Sequence, residues 1–196
     1  MPLVEPLKKG FCPSVDALSA FFDETLGFTP NSILTMQRRP EIAEAFISLN
    51  KAVMTNAGAL SAEQKRLIGL LSSMVAGCRY CQAHTTLAAE RYGSTEARLE
   101  AIWEYATSAL FSDAERAAFD FAIAAAAVPN AVDAAIATNL HAHWSDDDIV
   151  EILGVVSLFG FLNRWNDSMG TSLETGAAAA GEKHLNSQGW TSGKHV

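Results

Sequence analysis

Apolar residues recur along most of the chain at the three- and four-residue spacing that is typical of amphipathic α-helices. No window has the sustained alternation of apolar and polar residues that predicts a β-strand. Glycine, proline and serine interrupt the pattern at fairly regular intervals, where helices are expected to end and begin. The pattern therefore predicts an all-α protein, with helices over residues 14–26, 41–54, 62–76, 79–92, 96–110, 113–127, 130–142 and 146–169.

The ends of several predicted helices carry recognisable capping residues. A serine that stands three residues before a glutamine, glutamate or aspartate is typical of a helix start, and it occurs at Ser61, Ser112 and Ser145. A glycine is typical of a helix end, and it occurs at Gly27, Gly77, Gly93 and Gly170. These capping residues predict one helix between Ser61 and Gly77 and a second helix that begins directly after Gly77.

The segments that begin at Ser61 and Ser145 resemble each other. Each joins a serine cap, an acidic residue two positions later and a long amphipathic run, SAEQKRLIGLLSSMVAG and SDDDIVEILGVVSLFGF. This similarity predicts two loosely related helical halves, 61–110 and 112–170, which follow N-terminal helices over 14–54 in a single domain of residues 1–170. After Gly170 the chain is rich in Gly, Ser and Ala and loses its helical period, so residues 171–196 are expected to form a partly ordered tail.

Composition and charge narrow the class of protein. The 196 residues carry a net charge of −8, with a pI near 5.0, so we expect no nucleic-acid partner. Hydrophobic residues make up 49% and the mean hydropathy is +0.11, which favours subunit contacts and a homo-oligomer. The N-terminus has no secretory apolar region, and the apolar stretch from Phe119 to Val128 is too short to span a membrane. A cytoplasmic protein without membrane contact is therefore expected.

The cysteines suggest chemistry rather than structural disulfides. The chain has three cysteines, an odd number without a secretory signal, and two of them form the C-x-x-C pair of GCRYCQAHTTL, residues 77–87. Such a pair is typical of redox or metal chemistry. Cys12 is expected to be a loop or packing residue.

Helical geometry relates the C-x-x-C pair to a histidine. Gly77 places Cys78 at the start of a helix, where the unpaired N–H groups favour a thiolate. Cys81 lies one turn on, about 60° around the helix, close enough for a disulfide with Cys78. His84 follows by three residues and would be a base beside Cys81. The helix start thus favours Cys78 as the attacking thiol, and the base favours Cys81.

An upstream carboxylate is a further candidate for this site. Glu63 lies fifteen positions before Cys78, near the start of the preceding helix. If the two helices pack antiparallel, Glu63 would lie about level with His84 and would orient its imidazole.

Two other interpretations of the pair remain open. A zinc site would use Cys78, Cys81 and His84, with Glu63 or a histidine of the pair His141 and His143 as a fourth ligand. Alternatively, both cysteines are small buried core residues.

The segment GCRYCQAHTTLAAERYG, with Glu63 upstream, resembles the motif of the carboxymuconolactone decarboxylase superfamily, specifically its alkylhydroperoxidase D-like, peroxidase-related branch. The resemblance extends to QRRPEIAEAF, FLNRWNDSMG and GWTSGKH, and so spans most of the chain. It implies an all-helical bundle, a homo-oligomer (trimer or hexamer), and a thiol-dependent peroxidase that reduces organic hydroperoxides. It also implies that Cys81 is the peroxidatic thiol, Cys78 the resolving thiol, and Glu63 with His84 the proton relay.

The chain departs from the family pattern at two positions. The relay histidine of that family follows the second cysteine by four residues, where this chain has Thr85, and a histidine lies between the cysteines, where this chain has Tyr80.

An external dithiol or a thioredoxin-like protein would have to reduce the disulfide. No dinucleotide or phosphate-loop motif is present, so no cofactor is expected. The rival functions are a metal-binding or redox-sensing dithiol protein and a decarboxylase that uses histidine and arginine.

Overall fold

The computed structural model describes residues 2–55 and 58–196, and these residues form α-helices and short 3-10 helices without any β-strand. The all-α prediction is therefore confirmed. The helices are α1 (Pro13–Thr25), α2 (Asn31–Met36), α3 (Pro40–Thr55), α4 (Ala62–Val75), α5 (Arg79–Arg91), α6 (Glu96–Ala101), α7 (Asp113–Ala126), α8 (Ala134–His143), α9 (Asp146–Met169) and α10 (Thr175–Leu185), with 3-10 helices at Ile102–Glu104 and Asn186–Gln188.

Helix α4 lies at the centre of the fold. All nine residues from Lys65 to Ser73 are buried, because α4 packs against α5, α7 and α9. Even Lys65 is buried, with its ammonium 2.5 Å from the carboxylate of Glu151 on α9. Helix α5, which carries the C-x-x-C pair, packs in turn against α4, α9 and α10. The cysteines therefore lie inside the bundle and not on its surface.

The predicted caps form at the helix starts. Ser61, Ser112 and Ser145 each accept a hydrogen bond from the backbone N–H three residues on and complete a capping box. Between α4 and α5, Gly77 adopts a left-handed φ of 71°, and the N–H of Cys78 bonds back to the carbonyl of Ser73 at 3.1 Å. This tight turn makes α4 and α5 an antiparallel hairpin.

Two predicted helices are shorter than expected. The helix predicted over 96–110 gives way to a 3-10 helix that ends at Glu104, since the guanidinium of Arg116 takes the carbonyls of Tyr105 and Ser108, at 3.2 and 2.7 Å. The helix predicted over 130–142 begins only at Ala134, where Asp133 caps it by accepting the N–H of Ile136. Helix α2 was not predicted.

The C-terminal segment is ordered, contrary to the expectation of a partly ordered tail. It contains α10, whose buried residues recur at helical spacing and pack it against α5: Ala177, Ala180, Gly181, His184 and Leu185. A Cβ at Gly181 would lie 2.5 Å from the ring of Trp190, so the glycine allows that ring to close over α10. Within the described ranges, no helix is both long and apolar enough to cross a membrane.

Candidate active site

The two cysteines of α5 form a buried pair of thiols. Cys78 is the N-cap residue of α5 and is fully buried, and Cys81 lies in the first turn and is 2% exposed; neither forms a disulfide. The thiol of Cys81 donates a hydrogen bond to the sulfur of Cys78, and this bond lowers the pKa of Cys78. Burial raises that pKa, whereas the backbone N–H groups of Cys81 and Tyr80 lower it further. Burial, and then the neighbouring Cys78, raise the pKa of Cys81 well above its usual range. The first proton is therefore lost from Cys78.

A small apolar cavity lies against Cys81. Its volume is about 80 Å³, and Cys81 lies in its wall. The amide of Asn166 on α9 donates to the sulfur of Cys81 at 3.5 Å and supports a negative charge there. Most of the wall is aromatic and aliphatic, including Phe21, Phe22, Ile33, Phe46, Phe159 and Leu162. Such a lining favours the organic part of a substrate over a small polar molecule.

His84 lies in the same wall but is held by a carboxylate from the start of α10. Its Nε2 is 2.6 Å from Glu174, its ring stacks on Tyr80 with 4.1 Å between centroids, and the Tyr80 hydroxyl donates to Glu174 at 3.0 Å. Burial alone would raise the pKa of Glu174, yet the charge and hydrogen bond of His84, with the backbone N–H of Asn31, hold that pKa below its usual range. Burial, together with Glu174, raises the pKa of Tyr80. Glu174 therefore orients both rings.

Glu63 is not the partner of His84, so that prediction is wrong. In the α4–α5 hairpin the guanidinium of Arg66 lies 3.9 Å from the ring centroid of Tyr92, and Gln82 reaches the carbonyl of Ser73 at 3.2 Å. This register brings Glu63 level with residues about ten positions beyond His84, roughly 15 Å along the helix. Glu63 instead accepts from Arg98 at 2.8 Å, and Arg98 also binds Glu115 at 2.6 Å.

A second cluster lies on the other side of Cys78. Donor atoms of Cys78, Asp167 and His195 all lie within 4.8 Å of one another, a group of three that differs from the ligand set predicted for zinc. In the structure Glu63 binds Arg98, His84 binds Glu174 and His141 lies 3.6 Å from Asp146, so each of these predicted ligands has another partner. Cys12 is the N-cap of α1, with its sulfur 3.4 Å from the Ser14 hydroxyl.

The site thus contains residues that were not predicted from the sequence as functional: Asn166, Asp167, Glu174 and His195. Three of them lie in FLNRWNDSMG and GWTSGKH, the segments that already resembled the family outside the cysteine motif. The resemblance of these two segments to the family was the sequence feature that could have identified these residues as functional. Their proximity to the cysteines arises from packing of α9 and the C-terminal segment on α5, which no local pattern contains.

Comparisons with known proteins agree with this fold and site. The model of the carboxymuconolactone decarboxylase family matches residues 40–124. The debrominase Bmp8, solved as a cysteine-to-alanine variant in complex with 2,3,4-tribromopyrrole, is 33% identical with a TM-score of 0.86, and the match covers 92% of this chain and 96% of that one. The chain belongs to the carboxymuconolactone decarboxylase family.

Two further relatives are less similar or matched over less of their length. A peroxidase-related protein with an alkylhydroperoxidase core from Ralstonia eutropha JMP134 is 22% identical, with a TM-score of 0.76 over 86% of this chain and 89% of that one, and shares the fold. YnjA, an uncharacterized protein of Escherichia coli (strain K12), is 37% identical over 93 residues, which are 47% of this chain and half the length of that protein. The alkylhydroperoxidase D-like helical fold predicted from the sequence is thus confirmed.

Proposed function

We propose that this protein is a thiol-dependent oxidoreductase that reduces apolar organic hydroperoxides through the Cys78–Cys81 pair. The observation that carries the proposal is a pair of adjacent buried thiols of which Cys81 forms part of the wall of an apolar cavity. In this arrangement the substrate meets Cys81 inside the bundle, and Cys78 lies beside the product of the first step. The cavity's lining holds the organic group.

The chemistry balances with these two thiols alone. Cys78 loses its proton first, and the Cys78 thiolate then takes the proton of Cys81. The Cys81 thiolate attacks the terminal peroxide oxygen, the O–O bond breaks, and the leaving alkoxide takes up the proton that Cys78 had lost and becomes the alcohol. Cys78 then attacks the sulfenic acid of Cys81, and water leaves as the disulfide forms. One hydroperoxide and two thiols become one alcohol, one water and one disulfide. Asn166 supports the Cys81 thiolate, and His84 with Tyr80 shapes the wall.

The volume of the cavity bears on substrate size. At about 80 Å³ it is smaller than the roughly 150 Å³ of an apolar cavity that admits benzene. The peroxide end of a substrate therefore fits against Cys81, while a bulky organic group requires movement of the surrounding rings. We expect small apolar hydroperoxides to react faster than bulky ones.

Reductive debromination is a second candidate, favoured by the 33% identity with the debrominase Bmp8 over nearly the whole of both chains. The same thiols balance that reaction: an aryl bromide and two thiols become the arene, bromide, a proton and the disulfide. A flat halogenated ring suits an apolar, aromatic wall. Both candidates require an external dithiol or a thioredoxin-like reductant to restore the thiols.

The test is a single-turnover assay with prereduced, chelator-treated protein. Cumene hydroperoxide or 2,3,4-tribromopyrrole is added, and lost thiols, consumed peroxide and released bromide are counted. One substrate consumed for every two thiols lost, with a Cys78–Cys81 disulfide identified by mass spectrometry, is the expected result, and the probe that reacts identifies the chemistry. Cys81→Ser should abolish the reaction, and Cys12→Ser is the matched control that should retain it. If both thiols stay reduced with both probes, and also with the smaller tert-butyl hydroperoxide, the proposal fails.

We also propose that the protein works as a homo-oligomer, a trimer or hexamer. Leu3 is 76% and Phe161 41% exposed, and both border a surface groove beside Trp165. Apolar side chains in such a groove are typical of subunit contacts. Light scattering after size-exclusion chromatography measures the mass, and a monomer at micromolar concentration would contradict this proposal.

A further inference from the structure

The last residues of the chain are tied to the start of α5. The Trp190 indole donates to the carbonyl of Arg79 at 3.3 Å, and the Arg79 guanidinium donates to the carbonyl of Thr191 at 2.9 Å. The carbonyl of His195 accepts from the N–H of Leu173 at 3.0 Å, which fixes the chain end against the loop after α9. These bonds bring the ring of His195 beside Cys78, where it is 1% exposed.

The hydrogen bond to Thr171 determines which nitrogen of His195 is basic. Nδ1 lies 2.8 Å from the backbone carbonyl of Thr171, and a carbonyl can only accept, so Nδ1 carries the hydrogen. In the neutral ring Nε2 then has the lone pair. Nε2 makes no hydrogen bond within the described ranges, and it lies 3.6 Å from Oδ1 of Asp167. A ring nitrogen of His195, the sulfur of Cys78 and a carboxylate oxygen of Asp167 all lie within 4.8 Å of one another.

We propose that His195 is the base that takes the proton of Cys78, and that Asp167 positions and stabilises the imidazolium that results. The proton moves from the sulfur of Cys78 to Nε2 of His195, and no other bond changes. The cationic ring then lies against the Asp167 carboxylate while Nδ1–H stays on Thr171. This places the proton acceptor of the thiol pair at the C-terminus of the chain.

The surrounding charges are consistent with this transfer. Burial lowers the pKa of His195, so the neutral, basic ring is the form favoured before transfer. The nearby charged or titratable groups are Cys81, Tyr80, Asp167 and Lys194, whose ammonium is 3.1 Å from Asp167. The negative charge of Asp167 raises the pKa of Cys78. A positively charged imidazolium on His195, close to both groups, offsets this effect of Asp167 on the thiolate.

The inference rests on the proposed function for its place in turnover. When Cys81 has become a sulfenic acid, the Cys78 thiolate attacks its sulfur, the S–O bond breaks, and the leaving hydroxide takes the proton back from His195 as water. The same base would serve a debromination cycle, where bromide leaves the Cys81 sulfur instead. The ionisation of Cys78 itself is measurable without any substrate.

The experiment measures the ionisation of Cys78 in resting protein. The background carries Cys12→Ser and Cys81→Ser, because the hydroxyl that the second substitution introduces remains a hydrogen-bond donor beside Cys78. The ultraviolet absorbance of the thiolate is followed against pH, with Cys78→Ser as the blank. His195→Asn is then introduced, because the amide keeps a donor for the Thr171 carbonyl and removes the base. We expect the apparent pKa of Cys78 to rise by about one unit or more, which is about a tenfold loss of thiolate at neutral pH.

The matched control is His184→Asn. His184 is equally buried in the same C-terminal region, but it lies beside Glu90 and not beside Cys78. This variant should leave the Cys78 titration unchanged. A folded His195→Asn protein with an unchanged titration would overturn the proposal, as would a purified protein with a stoichiometric metal on the Nε2 lone pair.

A second measurement needs no His195 variant. Nitrogen chemical shifts of His195 in the unmodified protein should report a protonated Nδ1 and an unprotonated Nε2, and Nε2 should respond when Cys78 is replaced by serine. A protonated Nε2 in the neutral ring would overturn the proposal. Since neither experiment uses peroxide or bromopyrrole, failure of the proposed function and failure of this inference are distinguishable.

Discussion

The pairing of His84 with Glu174, in place of the predicted Glu63, leads to a direct test by matched substitutions. Glu174 receives three hydrogen bonds: from the backbone N–H of Asn31 at 2.5 Å, the Tyr80 hydroxyl at 3.0 Å and His84 at 2.6 Å. Its side chain is 13% exposed and that of His84 is 10% exposed. Glu174→Gln keeps one oxygen for Asn31 and Tyr80 and replaces the oxygen that faces His84 with an amide.

The expected cost follows from that geometry. The substitution removes one charge-assisted hydrogen bond at a nearly buried site, and such bonds contribute about 1.5–3 kcal/mol. We therefore expect Glu174→Gln to lower the free energy of unfolding by about 2 kcal/mol, which lowers Tm by roughly 4–8 °C in a chain of this size. Glu63→Gln should cost less than about 1 kcal/mol, because its carboxylate is more exposed and Arg98 keeps its bond to Glu115.

The pH dependence separates this cause from general disruption. The pKa of Glu174 in the folded protein lies below its usual value of 4.5, so the contribution of its carboxylate is complete above that pH and is lost as pH falls through the folded pKa. The difference between wild type and Glu174→Gln in urea unfolding should therefore shrink as the buffer becomes more acidic than pH 4.5.

Two results would refute this reasoning. One is a Glu63→Gln variant that is destabilised more than Glu174→Gln, since this would place the important carboxylate on α4. The other is a Glu174→Gln difference that does not shrink in acid. In the single-turnover assay, Glu63→Gln should keep the wild-type rate within about twofold, because the carboxylate lies roughly 15 Å along the helix from His84.

Three further substitutions test the cavity, the thiol and the C-terminal segment. Gly69→Ala would place a Cβ 2.4 Å from the ring of Phe159, so we expect a loss of about 1–3 kcal/mol in urea unfolding, and a rate that falls more for cumene hydroperoxide than for hydrogen peroxide. Asn166→Ala removes the donor to Cys81, and single-turnover kinetics at neutral pH should slow by roughly fivefold, as about 1 kcal/mol of thiolate support is lost; an unchanged rate would contradict that role. Trp190→Ala removes a 5% exposed indole, and urea unfolding should record a loss of about 3–5 kcal/mol, whereas a loss below about 1 kcal/mol would mean that the segment is not anchored there.

Local sequence information predicted a helix well where the segment had both a helical period of apolar residues and recognisable capping residues. The helix at 146–169 has the observed bounds of α9, because Ser145 and Gly170 mark its two ends. Prediction failed where the end of a helix depends on a residue outside it. The helix predicted over 96–110 ends early because the guanidinium of Arg116 donates hydrogen bonds to the carbonyls of Tyr105 and Ser108. Prediction also failed at α10, where the small side chains of an Ala-rich segment carried the helical period but little hydrophobicity.

The sequence by itself determined the fold class and the closeness of Cys78 to Cys81, because these depend on the helical period, the caps and residues within one turn of helix. The family was predicted from the resemblance of the C-x-x-C segment to the family motif. Tertiary structure alone decided the partners of that pair. Glu174 and His195 are more than ninety positions from Cys81, and they reach the cysteine motif because α10 and the C-terminal segment pack on α5. Glu63 is nearer in sequence, yet the register of the α4–α5 hairpin carries it to Arg98. Contacts between helices depend on register and packing, which spacing along one chain does not specify.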